Sequence, residues 1–297
     1  MDRILNVALA QHAMGDQAED NIATSIECVA EAAASGAQLV VLPELHRHRY
    51  FCKSQTRAFF DLAEPLEGPT FEALSEAAKA HGVVIVGSIF EARLAGLASN
   101  TAMVVESDGS LAGIYRKMHI PDDPGYNEKY YFTPGDGGFH PIDTSVGRLG
   151  VLVCWDQWFP EAARLMTLAG AEVLVYPTAI GWDPGDDPAE QHRQLDAWRI
   201  MHQAHAIANG LPVLACNRVG FEEDPQGQCP ADFWGHSFVS GPQGESLSSP
   251  LATDVGLVHA QLDLARTATV RQQWPFLRDR RVDAYHDLSQ RSLDTPS

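Results

Sequence analysis

Three side chains capable of joint nucleophilic chemistry stand just past apolar runs of the chain. Glu44 follows Gln38–Leu42 (QLVVL) and Pro43, Lys117 follows Leu111–Arg116 (LAGIYR), and Cys154 follows Leu149–Val153 (LGVLV). A thiol attacks as its thiolate, so it needs a base, and a carboxylate can be that base. A lysine held close lowers the thiol's pKa and can later stabilise an oxyanion. Taken singly, each residue has an ordinary reading. A cysteine after an apolar strand is usually a small buried hydrophobe, and a glutamate or lysine at a strand end is usually solvated. The set of three is what points to a cysteine nucleophile.

The elements that must position these residues follow from periodicity. Short β-branched runs alternate with Ala-rich stretches: strands over Leu5–Gln11, Gln38–Leu42 and Val83–Ile89, helices over Asn21–Ser35 and Thr70–His81. Thr101–Glu106 and Leu111–Arg116 flank Ser-Asp-Gly-Ser and predict a hairpin. The order then recurs about 130 residues later. GAQLVVLPEL from Gly36 is echoed by GAEVLVYPTA from Gly170, and HGVVIVGSI from His81 by NGLPVLACN from Asn209. The hairpin is echoed in Phe238–Leu247, and Leu149–Val153 matches the first strand. Two similar sheets, each with helices on one face, stack through their bare faces. The expected fold is α/β, a four-layer α-β-β-α sandwich with an internal two-fold repeat. In such folds chemistry collects beyond the carboxyl ends of strands, where Glu44, Lys117 and Cys154 fall.

Length and composition limit what else the chain can be. It has 297 residues, 45% hydrophobic and 8% aromatic, which excludes a disordered chain. The formal net charge of −18 opposes a nucleic-acid or anionic-membrane partner and would attract a small cation. No apolar run reaches the roughly 18 residues of a membrane span, and the start, MDRILNVALAQHAM, reads as a strand and not a signal peptide. The five cysteines, at 28, 52, 154, 216 and 229, form no CxxC pair. Reduced thiols in a cytoplasmic protein fit that pattern better than a disulfide framework. Residues 1–265 are expected to form one domain and 266–297 a C-terminal arm. The arm mixes Trp, Phe and Tyr with Arg, a composition suited to packing on a neighbouring subunit or back on its own domain.

LPEL at 42–45, YRKMHIP at 115–121 and VCWDQWFPE at 153–161 resemble, in this order, the three motifs of the nitrilase superfamily of carbon–nitrogen hydrolases. The likeness runs from the first strand to about residue 262. It implies the same α-β-β-α sandwich and assigns roles by position. Glu44 would be the general base, Cys154 the nucleophile, and Lys117 the oxyanion partner with a backbone N–H near Trp155. Glu128, in NEKYYFTPGD, matches a second glutamate on the loop after the lysine. The resemblance implies no metal or organic cofactor, and assembly as a homo-oligomer.

Within the superfamily, LPELHRHRYFC at 42–52, KMHIPDDPGYNEKYYFTPGD at 117–136 and YPTAIGWDP at 176–184 are similar to the N-carbamoylputrescine amidase branch. That implies a small cationic carbamoyl-amine as substrate and a cysteine-bound carbamoyl intermediate. Asp183, followed by Asp186 and Asp187, is then expected to receive the distal ammonium. His119, Tyr126, Trp155 and Trp182 are expected as pocket walls. Arg47 and Arg49 would instead favour a substrate ending in carboxylate, as for a β-ureidopropionase or carbamoyl-amino-acid hydrolase, if they face the pocket. Two readings from other classes remain. His46-x-His48 has the spacing of a metal-ligand pair, although no HExxH occurs and His202 and His205 read as packing or surface residues. A non-catalytic scaffold on the same fold would usually have lost one of the three catalytic groups.

Overall fold

The structure, a computed structural model, describes residues 3–223, 230–249 and 251–294. Cys229 lies outside them. The first half runs β1 (Ile4–Gln11), α1 (Ala18–Ala34), β2 (Leu39–Val41), α2 (Pro69–His81), β3 (Val84–Leu94), β4 (Leu97–Val105) and β5 (Leu111–Arg116). After α3 (Glu128–Tyr131) come β6 (Ile142–Thr144), β7 (Gly147–Val151), α4 (Pro160–Leu168), β8 (Val173–Thr178), β9 (Gly181–Trp182), α5 (Pro188–Asn209) and β10 (Val213–Asn217). The chain closes with β11 (Val219–Glu222), β12 (Ala231–Trp234), β13 (Phe238–Ser240), β14 (Gly256–Asp263) and α6 (Leu264–Gln273).

Local chemistry sets the helix ends. Proline occupies the first turn of α2, α4 and α5, where its missing N–H is not needed. Gly82 and Gly210 close α2 and α5 in the left-handed conformation that glycine adopts at no steric cost.

The two large sheets repeat one plan. The first has strand order β14-β1-β2-β3-β4-β5, the second β13-β10-β8-β7-β6. In each, three parallel strands (β1, β2, β3; β7, β8, β10) are flanked by an antiparallel strand on either side. Side chains alternate across the sheets as period two requires. Val7, Leu9, Leu39, Val41, Val84 and Val86 share a buried cluster with Leu149, Val151, Val173 and Val175 of the second sheet. The intervening Ala8, Ala10, Val40 and Ile85 pack on Val29 and Ala32 of α1 and on Leu74 and Ala77 of α2. This is the four-layer sandwich that the repeat predicts. The predicted hairpin forms between β4 and β5. Its echo is slighter: β13 is three residues long, with one bridge from Ser240 to Ser246.

Two features go beyond the sequence reading. A small third sheet, β11-β12-β9, lies outside the repeat and carries Trp182 and Trp234. The tail begins as α6, capped by the Asp263 side chain accepting from the Ala265 and Arg266 N–H groups. It then runs beside α4 and α5, leaving Trp274, Phe276, Tyr285 and Leu288 exposed. No helix among the described residues is long and apolar enough to cross a membrane.

Leu39 is fully buried in the slab between the sheets. Leu39→Ala should lower unfolding free energy by about 2–5 kcal/mol, measured by urea denaturation. A loss below about 1 kcal/mol would mean that the two sheets do not pack there as described.

Candidate active site

The parallel strands of both sheets and β5 end near one another, and their ends deliver the site. Glu44 lies two residues beyond Leu42, in a loop whose Glu44 N–H reaches the Thr178 carbonyl at the end of β8. Lys117 follows β5 directly, its N–H held by the Asn100 carbonyl of β4. Glu128 opens α3. All three side chains are fully buried.

Their side chains meet around one ammonium. Lys117 Nζ donates to Glu44 Oε1 at 2.8 Å and to Glu128 Oε1 and Oε2 at 2.9 and 2.7 Å. Burial opposes the lysine's charge, but Glu128 and Glu44 outweigh it and hold its pKa well above the usual range. Burial pushes the Glu128 pKa up to about 7, against the pull of Lys117 and with the repulsion of Glu44. Asn100 Nδ2 fixes Glu44 Oε1 at 2.6 Å, and the Tyr50 hydroxyl fixes Glu128 Oε1 at 2.6 Å. The other Glu44 oxygen, Oε2, is buried and has no hydrogen-bond partner. That oxygen is the one free to accept a proton.

Cys154 stands at a sharp corner. The chain leaves β7 and enters a short 3-10 turn, Cys154–Trp158, with Cys154 at φ 44°, a left-handed conformation that side chains other than glycine rarely adopt. Such strain persists where neighbours enforce it. Here buried Asp156 does so, accepting from the Val153 N–H at 2.9 Å, the Tyr115 hydroxyl at 2.9 Å and the His119 N–H at 3.0 Å. The thiol is buried with Sγ 3.8 Å from the Ala179 carbonyl. Burial and then Glu44 raise its pKa well above the free value, while Lys117 pulls it down. A resting thiol within the electrostatic reach of Glu44, whose second oxygen is free, calls for proton transfer coupled to attack.

A cavity of about 440 Å³ opens over Cys154. Trp155, Trp158, Ile180, Trp234 and Tyr126 wall it, and Asp123, Asp183 and Asp186 rim it. Tyr126 is anchored by its hydroxyl accepting from the Gly181 N–H at 3.1 Å. Asp183 also accepts from the Gly185 N–H and Asp186 from Gln194, whereas Asp187 is spent as the cap of α5. Two expected wall residues sit elsewhere. His119 stacks on Phe159 with ring centroids 3.8 Å apart and bonds Asp156 at 2.7 Å, so it braces the cysteine turn. Trp182 packs against Trp234, behind the wall, with its indole N–H on the Gln191 carbonyl. Arg47 pairs with Glu19 and Arg49 with Asp16, and neither lines this cavity. His46 is fully buried, its Nδ1 3.0 Å from the Ser25 hydroxyl, and His205 bonds the Gln157 carbonyl. Among the described residues no group of three or more His, Cys, Asp or Glu side chains is arranged to hold a metal ion.

A family model, that of the carbon–nitrogen hydrolases, matches residues 6–272. The chain is a carbon–nitrogen hydrolase of the nitrilase superfamily. The hydrolase is 44% identical over 290 residues to an N-carbamoylputrescine amidase of Solanum lycopersicum, covering 97% of this chain and 95% of that one. It is 39% identical to a citrullinase of Francisella tularensis, covering 96% and 98%. A solved carbon–nitrogen hydrolase from Helicobacter pylori superposes with a TM-score of 0.95 at 49% identity, over 98% of this chain and all of that one.

The raised pKa of Glu128 has a definite sign in stability. An unfolded chain releases this proton near its ordinary value of 4.5, whereas the fold retains it to about 7. The fold thus favours the protonated form, and that stabilisation, complete below the ordinary value, is lost as pH rises through about 7. Glu128→Gln removes this dependence. Urea denaturation from about pH 5 to about pH 8 should show the variant gaining stability relative to wild type. A constant or opposite difference would place the titration elsewhere.

Proposed function

We propose that this hydrolase acts on N-carbamoyl-amines ending in a cation, N-carbamoylputrescine first, and releases the amine, carbon dioxide and ammonia. The observation that carries the reading is the rim: three aspartates around an apolar cavity over Cys154, with no Lys, Arg or His among the described residues lining it. An ammonium at the far end of an alkyl chain meets carboxylates there, and a carboxylate in that place meets like charge. The similarity to N-carbamoylputrescine amidases supports the same choice. A β-ureidopropionase substrate, or citrulline with its α-carboxylate, would need a cation that this lining does not supply.

The chemistry follows from the assigned groups. Glu44 Oε2 takes the Cys154 proton as Sγ attacks the carbamoyl carbon. Lys117 and the N–H near Trp155 hold the oxyanion that forms. The tetrahedral adduct collapses with the C–N bond breaking, and ammonia leaves with the proton that Glu44 returns. An N-alkylcarbamoyl thioester remains on Cys154. Glu44 then activates a water, which displaces the sulfur, and the carbamate so released loses carbon dioxide to give the amine. Glu128 keeps Lys117 in place and charged through both halves.

Ammonia release from N-carbamoylputrescine, citrulline and N-carbamoyl-β-alanine tests the reading. The first should have the highest kcat/KM, and Cys154→Ala should abolish its turnover. Asp183→Asn should raise KM for the cationic substrate roughly tenfold, about 1.4 kcal/mol, with little loss of kcat. An unchanged KM removes Asp183 from the site, and a preference for N-carbamoyl-β-alanine overturns the cation reading.

A further inference from the structure

The loop bearing Glu44 is gripped from behind by an ion pair that lies outside the cavity lining. Arg218, between β10 and β11, is fully buried. Its guanidinium donates to the carbonyls of Glu44 at 2.8 Å, Leu45 at 2.9 Å and His48 at 3.2 Å. Those oxygens face one point because the backbone turns through a left-handed conformation at Leu45, φ 50°. Glu222, at the end of β11, balances the charge at 2.8 Å and accepts the Tyr50 N–H at 2.7 Å. Lys53 donates to the Glu222 carbonyl. The same Tyr50 turns its hydroxyl to Glu128. The guanidinium lies over the Tyr50 and Phe233 rings, which shield it from solvent.

A buried arginine is a poor choice for core filling alone, since apolar groups of similar volume usually serve stability as well or better. Arg218 spends its terminal donors on Glu222 and on one loop, whose two ends carry Glu44 and, through Tyr50, Glu128. We propose that Arg218 and Glu222 form a positioning pair that sets the aim of the Glu44 carboxylate and the seat of Glu128 on Lys117. The inference rests on the reading of Glu44 as the base. The pair is contributed by the second half of the repeat and acts on a loop of the first, so it also locks the two halves in catalytic register. Among the described residues the pair makes no hydrogen bond or ion pair to Asp123, Asp183 or Asp186 and touches the wall only through Tyr50 and Phe233, so its loss should fall mainly on the chemical step.

Arg218→Lys keeps the charge and loses the fork that reaches several carbonyls. It should lower kcat about 10–100-fold on N-carbamoylputrescine with KM within about twofold of wild type. Inactivation by iodoacetamide at Cys154 should slow in parallel. Glu222→Gln, which retains an acceptor for the Tyr50 N–H, should show a smaller loss of the same kind. If Arg218→Lys fails to fold, Glu222→Gln carries the test with the same split. Wild-type kcat in the folded variants, or a loss residing in KM with unchanged inactivation, overturns the proposal. If the protein does not turn over N-carbamoylputrescine, the substrate reading fails by itself. The inactivation rates then judge the pair: slowed rates support it and wild-type rates overturn it.

Discussion

One buried ammonium between two buried carboxylates sets the terms for the rest of the molecule. Removing three charges from water is costly unless each is paired and hydrogen-bonded. Lys117 donates to three oxygens of the two glutamates, and Asn100 and Tyr50 donate in addition to Glu44 Oε1 and Glu128 Oε1. The single exception is Glu44 Oε2. With one unsatisfied carboxylate oxygen and a thiol whose pKa burial and then Glu44 raise, the cluster is poised to accept that thiol's proton.

The sandwich is the means of assembling that cluster. Its charged members come from a loop after β2, from the end of β5 and from α3, and the cysteine from the end of β7. Parallel strands place such ends on one edge of a sheet, and stacking two sheets brings two edges together. The cavity wall is completed by β9 and β12 of the small third sheet, which are not part of either repeat. Chemistry thus belongs to the repeated core, whereas the walls and acidic rim belong in part to insertions around it. This division suits a family in which one reaction is directed to different amides.

Much of this was legible in the sequence, for physical reasons. Strand periodicity and the internal repeat specify the two sheets, and a residue type at a strand end carries its own placement, as for Glu44, Lys117 and Cys154. What stayed hidden depends on partners remote in the chain. Asn100 stands just before the predicted strand Thr101–Glu106, and nothing near it announces a bond to Glu44. Arg218 reads as a turn residue after VLACN, because the carbonyls it clamps lie more than a hundred residues away. His119 lies within the lysine motif and so invites a place on the wall, but its stacking on Phe159 turns it toward Asp156. Trp182 is misplaced for a related reason: alternation along the two-residue β9 is too short to say which side faces the cavity. Asp187 looks like its neighbours Asp183 and Asp186, and only the start of α5 reveals it as a cap.

The measurement that bears most directly on the account is mass spectrometry of protein acid-quenched during turnover of N-carbamoylputrescine. Wild type should carry the substrate less one ammonia on the peptide containing Cys154, and Glu44→Gln should form that adduct about 10²–10⁴-fold more slowly. An adduct on another residue, or one that forms at the wild-type rate without the Glu44 carboxylate, would contradict it.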